Sequence, residues 1–393
     1  MAKKLRVGVV FGGRSNEHEV SLLSAASILK AIDRRKFEVV PIGISKEGHW
    51  LTSEAAKNLL DAGAPAPKPR KLRADAPETT EAACPIEEGT STLLAPEPAP
   101  AAALAQTSDA ALGGQKLDVI LPVLHGTNGE DGTVQGLFEL AGIAYVGAGV
   151  LGSAAGMDKD VMKRLFRQAK LSIVRHVTLL RAEFERSPRK AVATIEAKLR
   201  YPVFVKPANM GSSVGISKAH NRAELTPALK LAARYDRKLI VEESVGGKKS
   251  RAREFEVGVL GNDDPKASVV GEIVPAKEFY DYEAKYLSEG SVPVIPAKIT
   301  KTESNEIRRM AVEAFKACDL SGLSRVDFLM EPEGKRRIFI NEVNTMPGFT
   351  KISMYPKLWE ASGVPYKELI TRLIELAMER RAEKDHIVYD YDK

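Results

Sequence analysis

Arg325, Asp327, Glu342 and Asn344 are residues whose types and spacing directly imply chemistry. They stand in two short β-type runs, Ser324 to Met330 and Arg337 to Asn344, separated by the polar turn Glu331-Pro332-Glu333-Gly334-Lys335 of an antiparallel hairpin. Side chains alternate faces along a strand, so Arg325 and Asp327 share one face of the first run, and Glu342 and Asn344 share one face of the second. A hairpin closing symmetrically about Gly334 and Lys335 sets Asp327 opposite Glu342 and Arg325 opposite Asn344. Paired carboxylates repel unless a cation lies between them, and hard oxygen donors of this kind suit Mg²⁺ carrying nucleotide phosphates. The competing reading is a half-solvated hairpin with scattered surface charges.

A second stretch could hold those phosphates. Tyr201 to Pro207 reads as a strand carrying Lys206 near its end, followed by Ala208-Asn209-Met210-Gly211-Ser212-Ser213-Val214-Gly215. Backbone N–H groups freed by the glycines, the serine hydroxyls and the Lys206 ammonium can together surround a polyphosphate. The lysine precedes the loop and no Gly-Lys-Ser/Thr follows it, so this is not a Walker A loop. A glycine turn beside a surface lysine is the alternative. Met157-Asp158-Lys159-Asp160 opens an amphipathic helix through Val161, Leu165, Phe166 and Ala169, with Asp158 as its N-cap and Lys159 at its entrance. Glu242 and Glu243 end the strand Leu239 to Glu243, and a basic turn, Gly246 to Arg253, leads into an alternating strand, Glu254 to Leu260. Phe279 to Tyr286, reading FYDYEAKY, is too polar for a core and too aromatic for a linker, and reads as a loop that closes over something.

The elements that must position these groups form an alternating α/β pattern. Leu5 to Phe11 is a continuous β-branched run ending in Gly12-Gly13, the pattern of a buried parallel strand. Arg14 to Ser21 opens a helix with apolar positions Val20, Leu23, Ile28 and Leu29, and Phe37 to Ile44 is the next strand. The loop after the first strand then lies at the carboxyl edge of a sheet, where ligands bind in such folds. Within it, Glu17 is either a ligand carboxylate or a first-turn acid favoured by the helix dipole, and the local context favours the structural role. Leu117 to Val123 is a further buried strand, followed by the polar loop Leu124 to Gly132; its His125 is a general base or, ranked first, a hydrogen-bonding bracket. Thr300 with Glu303 makes a capping box for a helix to Leu320 with a stripe of Ile307, Met310, Ala311, Ala314, Phe315 and Cys318. Asp61 to Gln115 is rich in Ala and Pro and reads as a partly flexible insertion with one short strand near Ser91 to Leu94.

A chain of 393 residues with 44% hydrophobic residues has room for two or three cored domains. Its net charge of +6 is spread out, with no basic run interleaved with aromatics, so no nucleic acid partner is expected. The two cysteines, Cys84 and Cys318, exclude a disulfide framework or thiolate metal site. The start, MAKKLRVGVVFGG, has too short an apolar run for a signal peptide or membrane span, so a cytoplasmic protein without a membrane partner is expected.

In order, GGRSNEHEVS, LHGTNGEDG, MDK, VKPANMGSSVG, FYDYEAKY, SRVDF and NEVNTMPG resemble the motifs of the D-alanine:D-alanine ligases of the ATP-grasp superfamily, over nearly the whole chain except the Ala/Pro insertion. The resemblance implies an α/β, three-domain ATP-grasp architecture. A parallel-sheet domain would span 1–150 with its insertion at 61–115, a central subdomain 151–242, and a C-terminal domain 243–393, the last two α+β domains clamping ATP. By resemblance Lys159 and Lys206 meet the ATP phosphates, Ser213 and Val214 belong to the flap over them, and Glu242 and Glu254 contact ribose or adenine, with Glu243 standing where the family varies. Asp327, Glu342 and Asn344 hold two Mg²⁺ ions, for which Mn²⁺ can substitute. Glu17, against its local reading, receives the ammonium of the first D-alanine, with Ser212 and Tyr286 hydrogen-bonded to it, and Lys285 reaches phosphate and substrate. Arg325 and the Gly348 N–H stabilise the oxyanion; His125 and Tyr280 lie beside substrate, and Ser353 and Met354 hold the second carboxylate. The implied activity is ATP-dependent formation of D-alanyl-D-alanine through D-alanyl phosphate, for peptidoglycan precursors, by a homodimer. Rival readings are a D-alanine:D-lactate or D-alanine:D-serine ligase, or a non-catalytic nucleotide binder. The resemblance implies that depsipeptide makers usually carry a different loop in place of EAKY, often with a histidine where Tyr286 stands, so Tyr286 favours the dipeptide.

Overall fold

Three sheets in chain order carry the functional loops, in a computed structural model that describes residues 3–51, 53–61, 116–247, 250–274 and 292–388. The expected strand near Ser91 to Leu94 and the expected closing loop, with Tyr280, Lys285 and Tyr286, lie outside the described residues.

The first sheet is parallel, with strands β1 (Leu5–Gly12), β2 (Phe37–Ile44), β3 (Val119–Val123) and β4 (Ala144–Tyr145) in the order β2-β1-β3-β4. β1 is buried from Arg6 to Gly12, as a strand covered on both faces must be. Helix α1 (His18–Ala31) turns Val20, Leu22, Ala25 and Ile28 inward, whereas Leu23, expected in that stripe, is 48% exposed. Serines take the inward positions instead, for a polar reason. Ser21 Oγ accepts from Gly12 N at 2.7 Å and donates to the Val123 carbonyl, stitching α1 to the carboxyl ends of β1 and β3. Helix α2 (Ser53–Asp61), an element the apolar spacing did not announce, ends where the Ala/Pro-rich stretch begins. Helices α3 (Thr133–Leu140), α4 (Val150–Met157) and α5 (Lys159–Gln168) then lead toward the second sheet.

That sheet is antiparallel: β5 (His176–Leu180), β6 (Val203–Pro207), β7 (Ser217–Ala219) and β8 (Lys238–Glu243), in the order β5-β8-β6-β7. Helices α6 (Arg181–Arg186), α7 (Pro188–Lys198) and α8 (Arg222–Ala233) accompany it, and Ile195, Leu225 and Leu229 form a core with Val205 and Val241. The third sheet joins β9 (Arg253–Gly261), β10 (Lys266–Val274), β11 (Val292–Val294), β12 (Gly322–Met330) and β13 (Ile338–Asn344) in the order β11-β10-β9-β12-β13. Helix α9 (Lys301–Ala317) begins at the expected Thr300–Glu303 capping box and buries Ile307, Met310, Ala311, Ala314 and Phe315.

Two helices tie the units together. α5 sends Met162 and Phe166 into the core of the third sheet, beside Phe328 and Ile340. After α10 (Met354–Ala361), the long α11 (Tyr366–Lys384) places Leu369, Leu373 and Ile374 in one apolar cluster with Val9 and Phe11 of the first sheet and Leu323 of the third. Rigid packing of this kind fixes the edges of the cleft described below.

Candidate active site

β12 and β13 pair with Asp327 opposite Glu342 and Arg325 opposite Asn344, the register expected from the turn. Beyond that point the ladder shifts, with Phe328 opposite Ile340, so Asn341 is the extra residue of a bulge. Arg325 donates to both oxygens of Asp327 at 2.7 Å, and its Nε lies 3.2 Å from Glu256 Oε2 on β9, where Glu256 is in register with Asp327. Glu342 Oε2 lies 3.4 Å from Lys159 Nζ, and Asn344 Oδ1 accepts from Met346 N at 3.1 Å. Asp327 and Glu342 have side chains only 15% and 27% exposed, so the scattered-surface-charge reading of the hairpin does not hold. Among the described residues, no three His, Cys, Asp or Glu side chains converge on one point. The donor set is two carboxylates and an amide oxygen, with Arg325 and Lys159 against the carboxylates. Such hard donors fit Mg²⁺.

The same hairpin lines a cleft of about 390 Å³, to which Asp327, Glu342, Lys206, Ser213, Glu242 and Glu254 all contribute. That size lies within the roughly 300–1,000 Å³ of small-molecule sites. Lys206 Nζ is 2.6 Å from Glu242 Oε2, and the other oxygen of Glu242 is 2.7 Å from Lys163 Nζ. Lys163 also donates to the Asn341 carbonyl at 3.2 Å, at the bulge. Burial alone would raise the Glu242 pKa, but Lys163 and Lys206 hold it far below the carboxylate range. Burial lowers the Lys163 pKa against the pull of Glu242, while for Lys206 the charges of Glu242 and Glu342 outweigh burial and raise it.

Lys159 is positioned by its helix start. Asp158 accepts from Asp160 N at 3.0 Å and Val161 N at 3.1 Å, and Lys159 Nζ donates to the Met210 carbonyl at 3.0 Å, next to the glycine-rich loop. Ser212 and Ser213 of that loop have φ of 49° and 60°, a left-handed conformation that costs a non-glycine residue energy and recurs at ligand sites. Glu243 faces away from Glu242, accepting from Arg200 N at 2.9 Å and lying 3.4 Å from Arg175 Nη1. Glu254 lies 3.2 Å from Arg251 Nη2.

Glu17 does not cap α1 with its side chain; its carboxylate reaches the glycine-rich loop, where Ser212 Oγ donates to Oε1. Two glycines leave the space. A Cβ on Gly126 would stand 2.7 Å from Glu17 Oε2, and one on Gly211 would stand 3.0 Å from it. His125 places Nδ1 2.8 Å from the Met346 carbonyl, which requires a proton on Nδ1, so Nε2 accepts from Ser24 Oγ at 3.2 Å. Both ring nitrogens thus bind protein partners, as a bracket does. Burial lowers the His125 pKa, with the Glu17 charge opposing. Glu130 Oε2 accepts from Gly126 N at 3.1 Å, and burial together with the Glu17 charge pushes its pKa well up.

At the start of α10, Ser353 Oγ accepts from Thr350 N at 3.1 Å and lies 2.8 Å from Thr350 Oγ1. The Met354 side chain is buried with Ile273 and Leu358, so what it offers a ligand is its backbone N–H at the helix start. A Cβ on Gly348 would come 3.1 Å from Ser353 Oγ.

Three residues of this region escaped the sequence reading: Lys163, Glu256 and Glu130. Lys163 had a signal, standing one helical turn after Lys159 and so on the same face. Glu256 shares a strand face with Glu254. Glu130 sits among the polar residues of the loop containing His125, and only packing reveals that it is buried.

A parallel-sheet unit followed by two antiparallel sheets that enclose paired lysines and an oxygen-donor hairpin is the arrangement of the ATP-grasp ligases. Residues 6–148 match the family "D-ala D-ala ligase N-terminus" and residues 165–375 match "D-ala D-ala ligase C-terminus". A D-alanine–D-alanine ligase of Natranaerobius thermophilus is 48% identical over 391 residues, covering 100% of both chains. That span runs through residues 61–115, which the motif resemblance left out. The solved structure of the D-alanine-D-alanine ligase from Coxiella burnetii superposes with a TM-score of 0.74 at 32% identity, over 98% of this chain and 97% of that one. The VanG D-Ala:D-Ser ligase from Enterococcus faecalis gives 0.74 at 35% identity, over 95% of this chain and 100% of that one. The chain belongs to the D-alanine–D-alanine ligase family.

Proposed function

We propose that this chain joins two molecules of D-alanine into D-alanyl-D-alanine, converting ATP to ADP and phosphate, for peptidoglycan precursor synthesis in the cytoplasm, as a homodimer. The observation that carries the reading is a shared cleft. Lys206 and Ser213 line it from the central sheet, and Asp327 and Glu342 line it from the C-terminal hairpin. Glu17 meets the same glycine-rich loop from the N-terminal sheet.

A carboxylate is a poor electrophile and must be activated before an amine attacks it. Glu17, held by Ser212, accepts the ammonium of the first D-alanine and sets its carboxylate toward the γ-phosphoryl group. Lys159 and Lys206 hold the phosphates, with Ser213 and Val214 in the loop over them and Glu242 and Glu254 toward the nucleoside. A carboxylate oxygen attacks the γ-phosphorus, the bond to ADP breaks, and D-alanyl phosphate forms. Such transfers need positioning and charge neutralisation more than covalent help. Asp327, Glu342 and Asn344 would hold the Mg²⁺ ions, two in number and replaceable by Mn²⁺, which neutralise charge on the phosphates when bound.

The second D-alanine, its carboxylate at Ser353 and the Met354 N–H, attacks the acyl carbon through its amine. Arg325 and the Gly348 N–H stabilise the oxyanion of the tetrahedral intermediate, which expels phosphate and leaves the amide. His125 acts on this site by position, clamping helix α1 at Ser24 to the Met346 segment. Tyr280, Lys285 and Tyr286 complete the reading as substrate contacts. Measuring phosphate release with D-alanine, D-serine or D-lactate as second substrate tests the assignment. A preference for D-lactate or D-serine at neutral pH, or ATP turnover indifferent to D-alanine, would overturn it.

A further inference from the structure

Lys163 follows Lys159 by one turn of α5, but its side chain is only 1% exposed and it has a different set of partners. Its ammonium joins Glu242 of the central sheet to the Asn341 carbonyl of the C-terminal hairpin, at 2.7 Å and 3.2 Å. The bulge explains the second contact, because the extra residue falls outside the regular ladder. Glu242 is therefore held between two ammonium groups, with Lys206 2.6 Å from its other oxygen. The two cations differ in freedom: Lys206 lines the cleft with a side chain 13% exposed, whereas Lys163 is enclosed.

We propose that Lys163 is a positioning residue for nucleotide binding, the standing counter-cation of Glu242 that lets Lys206 turn from this carboxylate to the phosphates of a nucleotide. The proposal rests on the reading of the cleft as a nucleotide site. Removing one partner of a buried ion pair leaves an uncompensated charge, which is strongly unfavourable. Were Glu242 paired with Lys206 alone, every binding event would meet that penalty. With Lys163 in place the carboxylate stays neutralised, and repulsion between the two ammonium groups loosens the hold of Glu242 on Lys206. The same residue links the central sheet to the metal-donor hairpin, so the phosphate lysine and the hairpin keep a common frame.

The test is calorimetric titration of the full chain with ADP and with adenosine, each in the presence of Mg²⁺, for the wild type, Lys163→Met and Lys163→Met/Glu242→Gln. In Lys163→Met, ADP affinity should fall by at least about tenfold while adenosine affinity stays within about twofold. The double variant should restore the ratio of the two affinities, because no charged carboxylate then holds Lys206. Parallel loss of both ligands, an unchanged ADP affinity, or no recovery in the double variant would overturn the proposal. If Lys163→Met does not fold, Lys163→Gln keeps a donor for the Asn341 carbonyl without the charge and should show the same split; failure of both to fold assigns Lys163 to the scaffold and also overturns it. A wild type that binds ADP but does not turn over ATP with D-alanine would remove the ligase reading and leave this one standing, whereas a wild type without ADP affinity removes both.

Discussion

Ser212 Oγ, on the glycine-rich loop of the central sheet, donates a hydrogen bond to Glu17 Oε1 at the carboxyl edge of the N-terminal sheet, across 195 positions of sequence. In the proposed reaction the bond would tie the loop over the phosphates to the group that orients the first amino acid.

Replacing Ser212 with Ala should therefore act on the amino acid rather than on the fold. A hydrogen bond to a charged group contributes about 1.5–3 kcal/mol, which corresponds to a rise of about tenfold or more in KM for the first D-alanine. Initial-rate assays read this directly. An unchanged KM with a lowered melting temperature would make the bond structural.

Gly126→Ala should disturb the same carboxylate from the other side. The residue has φ of 75°, and an added Cβ would stand 2.7 Å from Glu17 Oε2 and 2.8 Å from Ser15 Oγ. Both backbone strain and the clash oppose the substitution, so stability should fall by about 1–3 kcal/mol together with D-alanine affinity. Denaturant unfolding alongside substrate titration separates the two losses.

Glu342→Gln should weaken turnover while leaving unfolding nearly unchanged. Even partners one shell beyond a metal's ligands are worth about 10–100-fold, so a loss of at least about tenfold is expected, with partial recovery at raised Mg²⁺. Chelation of divalent ions should abolish turnover of the wild type. A Glu342→Gln rate equal to wild type would remove this residue from the metal site.

Glu130 sets a pH dependence of stability. Its pKa is pushed well above the ordinary 4.5 by burial, then by the Glu17 charge. As pH rises through the unfolded value, the unfolded chain releases the proton while the folded chain keeps it, so this group's contribution to stability declines until the folded value is passed. Glu130→Gln retains the acceptor for Gly126 N and removes the titration. Its melting temperature should therefore rise relative to wild type as pH increases above about 4.5, and a constant difference across pH would contradict the assignment.

What was legible in the sequence was whatever local periodicity dictates. The hairpin and the facing of Asp327 and Glu342 were legible, although the strands close about Gly334 with Met330 opposite Ile338 and it is the bulge at Asn341 that brings Asp327 to Glu342. Thr300 with Glu303 marked the start of α9. Contacts made across the fold were not legible. Glu17 looked like a first-turn acid because its partner lies in another sheet, and Leu23 looked like core because the inward serines of α1 are held by hydrogen bonds rather than by apolarity. Lys163 carries a surface residue's identity, and only the bulge at Asn341 and the Glu242 carboxylate make its burial possible.

The route through D-alanyl phosphate is tested most directly with D-alanine carrying ¹⁸O in its carboxylate. If a carboxylate oxygen attacks the γ-phosphorus and leaves with it, each dipeptide formed must be accompanied by one phosphate bearing one ¹⁸O from the first D-alanine. Unlabelled phosphate accompanying labelled dipeptide, or phosphate released without dipeptide, would contradict the account.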